Sequence, residues 1–245
     1  MSSSKLNDPD PVSRKGVSLS QLRAFVRDHA HHLQPHTTTA QVVDLIKRLT
    51  EAGRCSYVEL LRRRGEPVDD ATVFGSHTWS GRFLDLVAAL ESKYGGRAEE
   101  RIWLDVMVVP QNDCDKPRGD SVWYDAFERA LRETGRIAVV LAPFDRPVYL
   151  TRSWCLFEFL VAMKLGLAMD MVLAPVEEER LVAFLTRGGQ FLELFSLIDF
   201  GAAEASVAED RERIRERVVV ELGAKGFRVL NERVMEQMRL LRWRG

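Results

Sequence analysis

The 245-residue sequence has few of the features that identify common classes of protein at once. It has three cysteines, Cys55, Cys114 and Cys155, an odd number at wide spacing, which favours reduced thiols in a cytosolic protein over a disulfide framework. The formal net charge is −1, so the overall charge gives no reason to expect nucleic acid or an anionic membrane as a partner. No apolar run follows the N-terminal Met-Ser-Ser-Ser-Lys-Leu, so we expect no signal peptide.

The motifs of the common α/β enzymes are missing as well. The sequence has no Gly-x-x-x-x-Gly-Lys phosphate loop and no Gly-x-Gly-x-x-Gly after its first strand-like segment. It has no Gly-x-Ser-x-Gly elbow, and His77 has no evident nucleophile partner. A receiver domain would need clustered acids where Ser76, His77 and Thr78 stand. These absences exclude most of the frequent enzyme types of this fold class.

The sequence also lacks an uninterrupted apolar stretch long enough for a membrane span. Its longest apolar segment, residues 154–176, contains Glu158, Lys164 and Asp170. Charges at that density are costly in lipid, so a buried helix followed by a short buried strand explains the segment better. We therefore expect a soluble, cytoplasmic protein with neither membrane nor nucleic acid among its partners.

The apolar and polar patterns divide the chain into four parts. Residues 1–37 read as a mostly disordered or partly helical segment, in which Ser18 or Ser20 would cap a helix that contains Leu22 and Phe25. Residues 38–69 form a helical lead-in and residues 177–245 a helical C-terminal extension. Between them, residues 70–176 alternate strand and helix patterns, with strands predicted at 71–76, 102–109, 137–141 and 169–174. Hydrophobic residues make up 46% of the chain, which is enough for a full core.

This alternation predicts right-handed βαβ units and a parallel sheet flanked by helices, that is, a flavodoxin-like α/β fold. In such sheets ligands bind at the carboxyl ends of the strands. The loops at that edge would be residues 76–81, 110–121 and 142–153, and any site should be built from them and from the helix turns that follow.

Glu158 is the most unusual residue of the α/β region. It is the only acid in the apolar segment 154–163, and its helical neighbours Trp154, Cys155, Val161 and Ala162 cannot neutralise it. A lone acid in a buried helix should have a raised pKa or find a distant partner, and such acids are enriched at functional sites. The alternative is that Glu158 lies at the rim of the helix and reaches water.

Four histidines lie close together near the first predicted helix: His29, His31, His32 and His36. His32 and His36 have the i, i+4 spacing of helical metal sites, but Pro35 separates them and neither Cys nor Glu completes a ligand set. We interpret them as a solvated polar face and expect no metal.

Three segments together resemble a TIR (Toll/interleukin-1 receptor) domain. They are Phe-Gly-Ser-His at 74–77, Ile-Trp-Leu-Asp at 102–105 and Ser-Trp-Cys-Leu-Phe-Glu at 153–158. More narrowly, the chain is similar to the divergent TIR-like domains of algae and protists, which carry a Phe-x-Ser-His-x-Trp first motif. The resemblance covers residues 70–176. The chain departs from familiar members at residues 77–79 and in the loop after Val109, and both loops help to bind ligand or partner in the family.

The resemblance implies one of two functions. Some TIR domains hydrolyse NAD⁺ at the nicotinamide–ribose bond, and others only assemble with TIR domains as non-catalytic signalling scaffolds. In the catalytic members the glutamate of the Trp-Cys-x-x-Glu helix is essential, which here is Glu158. A carboxylate beside the ribose can stabilise the oxocarbenium-like centre that forms as nicotinamide departs. NAD⁺ would then be a substrate rather than a cofactor, and self-association or another TIR-like domain would be the expected protein partner.

Other residues are candidates for binding the substrate, and each also has a purely structural interpretation. Trp79 could stack on adenine or nicotinamide, or simply pack against its loop. Ser76 and His77 could bond to phosphate or ribose oxygens, and Arg82 lies at a helix N-terminus that favours pyrophosphate. Asp105 could belong to the site or simply cap a neighbouring loop. Trp154 could form a wall of the pocket or pack in the core. We interpret Cys155 as a small buried hydrophobic residue rather than a nucleophile.

Overall fold

A computed structural model describes residues 13–113, 121–189 and 208–239. Residues 114–120 of the predicted 110–121 loop, among them Cys114, therefore lie outside the described residues, as do residues 1–12 of the N-terminal segment and residues 190–207 and 240–245 of the predicted C-terminal extension. Within the described residues, no helix is long and apolar enough to cross a membrane.

A mostly parallel sheet lies at the centre of the fold. Its strands are β1 (Val17–Ser18), β2 (Val73–Ser76), β3 (Arg101–Trp103), β4 (Arg136–Val140) and β5 (Ala168–Val172). Their spatial order is β1-β3-β2-β4-β5; β1 pairs antiparallel with β3, and the other pairs are parallel. The order of the parallel strands is the one found in flavodoxin-like sheets. The predicted α/β class, with helices flanking a largely parallel sheet, is confirmed and is compatible with a flavodoxin-like fold.

The helices of the described residues have the following bounds: α1 (Leu19–Asp28), α2 (Thr39–Thr50), α3 (Tyr57–Arg63), α4 (Phe83–Tyr94), α5 (Asp105–Val108), α6 (Ser121–Thr134), α7 (Ser153–Lys164), α8 (Pro175–Thr186), α9 (Ala208–Leu222) and α10 (Gly226–Arg239). A single 3₁₀ turn, Val148–Thr151, lies between β4 and α7. Ser18 caps α1, as one of the two sequence alternatives predicted, and forms a capping box with Gln21.

The second predicted strand, residues 102–109, is wrong beyond Trp103. The chain leaves the sheet there and forms the single helical turn α5, in which Val106, Met107 and Val108 are still buried. The carboxylate of Asp105 accepts the Val106 N–H at 2.7 Å, a local bond that competes with strand pairing. A largely apolar run of this length is compatible with a buried strand or with a buried helical turn, because both cover its apolar side chains.

The first helix is part of the main core. Phe25 of α1 is fully buried, with ring-centroid distances of 5.1 Å to Tyr57 and 5.7 Å to Phe83. Val17 of β1 extends the sheet by pairing with Ile102. The sequence pattern predicted the helix but not the two-residue strand before it.

The helix α9 docks on α6 and α7. Its Asp210 accepts the indole N–H of Trp154 at 3.0 Å and the hydroxyl of Tyr124 at 3.2 Å, while the Trp154 and Tyr124 rings stack at 4.7 Å. Further along α9, Arg217 bonds to Glu128 of α6 at 2.7 Å. The C-terminal extension therefore holds the outer side of the helix that carries Glu158.

Candidate active site

Several of the predicted site residues meet at the carboxyl ends of β2 and β3. Ser76 is the last residue of β2 and pairs with Val139 of β4. Asp105 follows β3, and Glu158 lies in the second turn of α7. This is the edge of the sheet at which ligands bind in open α/β folds.

The carboxyl group of Glu158 is buried and makes a hydrogen bond to Ser76. The residue is 7% exposed, and its Oε2 lies in short contact with Ser76 Oγ. Burial raises the pKa of Glu158 to about 8, the hydrogen bond from Ser76 opposes that rise, and the charge of Asp105 adds to it. Glu158 is thus buried and has a distant partner, Ser76, and the alternative of a water-exposed residue at the helix rim is wrong.

Tyr149 completes this cluster, although the sequence had not indicated it. It lies in the 3₁₀ turn Val148–Thr151 and is 1% exposed. Its hydroxyl lies 2.8 Å from Ser76 Oγ and 3.1 Å from the carbonyl oxygen of Cys155. The only signal in the sequence was its position as the sole tyrosine of the 142–153 loop.

A second group, His77, Asp105 and Trp79, lies beside the first. The indole N–H of Trp79 donates to Asp105 Oδ2 at 2.7 Å, while Trp79 itself is 41% exposed. His77 Nδ1 lies 3.3 Å from the carbonyl oxygen of Gly75, which can only accept. His77 Nε2 is buried without a hydrogen-bond partner and lies 3.7 Å from Asp105 Oδ1. Asp105, the first residue of α5, thus belongs to this group and does not lie within a strand.

Cys155 supports this arrangement from α7. Its Sγ lies 3.5 Å from the carbonyl oxygen of His77. Burial, together with the nearby Glu158 carboxyl, raises the pKa of the Cys155 thiol well above its ordinary value. A thiol held in its neutral form agrees with its interpretation as a buried apolar residue.

The structure gives Arg82 and Trp154 other contacts. Arg82 forms a salt bridge with Asp85 at 2.8 Å on α4. Trp154 stacks on Tyr124 and bonds to Asp210, which corresponds to the core-packing interpretation of this residue. Ser76 contacts Glu158, and Asp105 contacts both Trp79 and His77, whereas Arg82 and Trp154 take part in neither set of contacts.

Within the described ranges, no group of three or more His, Cys, Asp or Glu side chains is arranged to hold a metal ion. His31 and His32 lie against each other, with ring centroids 4.1 Å apart.

Three comparisons with known proteins were made. A scan against protein-family models, a search of curated proteins and a search of solved structures each found no match to this chain.

Proposed function

We propose that this chain is a TIR-like domain that hydrolyses NAD⁺ at the nicotinamide–ribose bond and that its activity depends on self-association. The observation that carries the proposal is Glu158, a buried carboxyl hydrogen-bonded to Ser76 at the carboxyl ends of the strands. The position corresponds to the essential glutamate of the motif that the sequence resembles.

The chemistry requires Glu158 in its ionised form. In the reaction the bond between C1′ and the nicotinamide nitrogen breaks, and its electron pair leaves with neutral nicotinamide. A water oxygen bonds to C1′ and loses one proton, which gives ADP-ribose. The carboxylate would stabilise the positive charge that develops on the ribosyl centre and orient the ribose hydroxyls.

Trp79 provides an aromatic surface beside Asp105. Its exposed ring is held by the hydrogen bond to Asp105, so its orientation is fixed before a ligand arrives. A flat apolar ring of this kind suits stacking against nicotinamide or adenine. His77 and Asp105 add hydrogen-bond acceptors next to that surface.

The covered position of Glu158 supports dependence on association. Glu158 and the Tyr149 that is hydrogen-bonded to Ser76 are both buried, so a ribose would reach the carboxyl group only after a neighbouring segment moves, and the 3₁₀ turn Val148–Thr151 is the segment that we propose. Contacts between copies of the domain would favour the open arrangement by binding it more tightly than the closed one.

The second candidate function is a non-catalytic TIR module that signals through homotypic contacts. The same burial favours it, because a carboxyl group that is covered and already hydrogen-bonded is also compatible with a structural role. The two functions differ in whether the assembled protein consumes NAD⁺.

The deciding experiment measures nicotinamide release by the wild type and by Glu158→Gln, each fused to a domain whose dimerisation is induced. We expect release by the assembled wild type and at least about a hundred-fold slower release by Glu158→Gln. Glu91→Gln, on α4 and paired with Arg23 rather than with the site, serves as the matched control and should retain activity. Equal rates in wild type and Glu158→Gln would remove Glu158 from catalysis. No release from any assembled, folded variant would favour the scaffold.

A further inference from the structure

The hydroxyl of Tyr149 is the outer end of a chain of three oxygen–oxygen contacts that starts at Glu158. Glu158 contacts Ser76, Ser76 lies 2.8 Å from Tyr149, and Tyr149 lies 3.1 Å from the carbonyl oxygen of Cys155. All of these groups are buried, so water does not supply missing protons. Each contact therefore needs one proton from the groups themselves.

Three protons are available only when Glu158 is protonated. In that state Glu158 donates to Ser76, Ser76 donates to Tyr149, and Tyr149 donates to the Cys155 carbonyl, which can only accept. Every contact then has one donor and one acceptor.

Ionisation of Glu158 leaves two protons for three contacts. The carboxylate can only accept, so the Ser76 proton must point to it, and Tyr149 can donate either to Ser76 or to Cys155 but not to both. The favoured arrangement turns Tyr149 toward Ser76 and releases its bond to the carbonyl. The protonated state thus contains three neutral hydrogen bonds, whereas the ionised state contains one neutral bond and the bond from Ser76 to the carboxylate, so the protonated state has one more hydrogen bond in total.

We propose that Tyr149 is a positioning residue, whose hydroxyl completes a hydrogen-bond chain through Ser76 that holds Glu158 in its protonated, resting form. The predicted effect of Tyr149 on catalysis rests on the proposed function. The hydrogen-bond chain does not, because it is a property of the fold. If the carboxylate is the active form, Tyr149 restrains the activity of the closed domain.

Other titratable groups around Glu158 come from each neighbouring element. Asp105 follows β3, His77 follows β2, Cys155 lies on α7 and Arg152 precedes it. Asp105 acts on Glu158 through its charge, and Arg152 lowers the pKa of Cys155. Removal of the Tyr149 hydroxyl leaves all four in place, so its effect can be separated from theirs.

The main test compares Tyr149→Phe with Tyr94→Phe. Tyr94 is a matched control, because it is also fully buried and its hydroxyl donates to a carboxylate, Asp170 Oδ2, at 2.7 Å in another part of the core. Loss of the Tyr149 hydroxyl removes two neutral hydrogen bonds from the protonated state and one from the ionised state. We expect the pKa of Glu158 to fall by about 0.5 to 1 pH unit in Tyr149→Phe and to stay unchanged in Tyr94→Phe.

The readout is the ¹³C carboxyl resonance of Glu158, assigned by its loss in Glu158→Gln, as the pH is varied. A pKa that stays the same or rises in Tyr149→Phe would overturn the proposal. In a Ser76→Ala background the chain is broken, and Tyr149→Phe should then have no effect on Glu158. An equal shift with and without Ser76 would show that Tyr149 does not act through it, and would also overturn the proposal.

The wild type supplies a test that needs no Tyr149 variant. Because Tyr149 changes its acceptor when Glu158 ionises, its ¹³Cζ resonance should titrate with the same midpoint as the Glu158 carboxyl, while that of Tyr94 should not. A Tyr149 resonance that does not change as Glu158 titrates would contradict the proposal.

If the assembled wild type cleaves NAD⁺, Tyr149→Phe should cleave it about three- to fivefold faster than the wild type at pH 7, because a larger fraction of Glu158 is ionised in the variant. The resonances test the hydrogen-bond chain even if no NAD⁺ is cleaved. Failure of the proposed function is therefore distinguishable from failure of this inference.

Discussion

Replacement of Glu158 by Gln should stabilise the fold, and the gain should depend on pH. Gln keeps the size of the side chain and can still form a hydrogen bond with Ser76, but it cannot ionise. The substitution therefore isolates the cost of a buried charge from the cost of an altered shape.

The magnitude follows from the pKa of Glu158, which is about 8 in the folded protein against an ordinary value of 4.5. Between these two values the native state retains a proton that the unfolded chain has released, so the free energy of unfolding falls as the pH rises. Each pH unit in that window lowers it by about 1.4 kcal/mol. The accumulated loss at pH 7 is therefore about 3 kcal/mol, and above pH 8 it reaches its full size of between about 4 and 5 kcal/mol.

Glu158→Gln removes this loss. Below pH 4.5 both proteins carry a neutral side chain in the folded and unfolded states, so their stabilities should be similar. The stability of the variant relative to wild type should then increase across the window and become constant above pH 8. The assay is guanidinium unfolding followed by tryptophan fluorescence at intervals of one pH unit between pH 5 and pH 9.

Asp170→Asn is a control of opposite sign. Burial opposes the shift, but hydrogen bonds from Lys93 and Tyr94 together with the charges of Lys93 and Arg136 lower the pKa of Asp170, so its ionised form stabilises the fold above its ordinary pKa of 3.8. This variant should be less stable than wild type at pH 7, with the deficit shrinking as the pH falls through the acid range. A Glu158→Gln variant that is destabilised at pH 8, or whose effect is equal at pH 5 and pH 8, would refute the assignment of a buried neutral carboxyl group.

Two further substitutions test neighbours of the site. Asp105→Asn removes a charge that raises the pKa of Glu158, so the carboxyl resonance of Glu158 should titrate at lower pH, and an unchanged midpoint would contradict the electrostatic coupling. Trp154→Phe keeps an aromatic ring but removes the indole N–H that bonds to Asp210 and part of the ring that packs on Tyr124, so denaturant unfolding should show a loss of at least about 1 kcal/mol. Because Trp154 acts on the docking of α9, the pH dependence of stability should be unchanged in this variant, and a shifted dependence would place Trp154 in the active site instead.

The fold was largely predictable because its signals are local. Three of the four predicted strands lie within two residues of β2, β4 and β5, where an apolar run is bounded by polar or glycine-containing turns. The second strand was predicted too long, since the apolar residues after Asp105 are buried in a helical turn rather than in the sheet. The strand β1 has only two residues, and its pairing with β3 is a long-range contact that no periodicity indicates.

The site was predictable only in part, because most of its contacts cross between distant segments. Glu158 was identifiable as an acid without a local partner, but the partner it has, Ser76, is 82 positions away. Tyr149 lies in a loop without a regular pattern, so its contacts with Ser76 and Cys155 follow from the path of the chain alone. Trp154 has the right spacing to stand one turn from Glu158, yet its indole is directed to Asp210 of the C-terminal extension, which the spacing within α7 does not indicate.

The protonation state of Glu158 also affects how the proposed activity would be controlled. With a pKa of about 8, only about one molecule in ten carries the ionised form at pH 7, which corresponds to a free-energy difference of about 1.4 kcal/mol. That difference is small compared with what a protein interface can supply, so ionisation of Glu158 would add little to the cost of an assembly that moves the 3₁₀ turn Val148–Thr151. Movement of Tyr149 removes the cover and the extra hydrogen bond together. A single displacement would therefore give the substrate access and produce the carboxylate that the reaction requires.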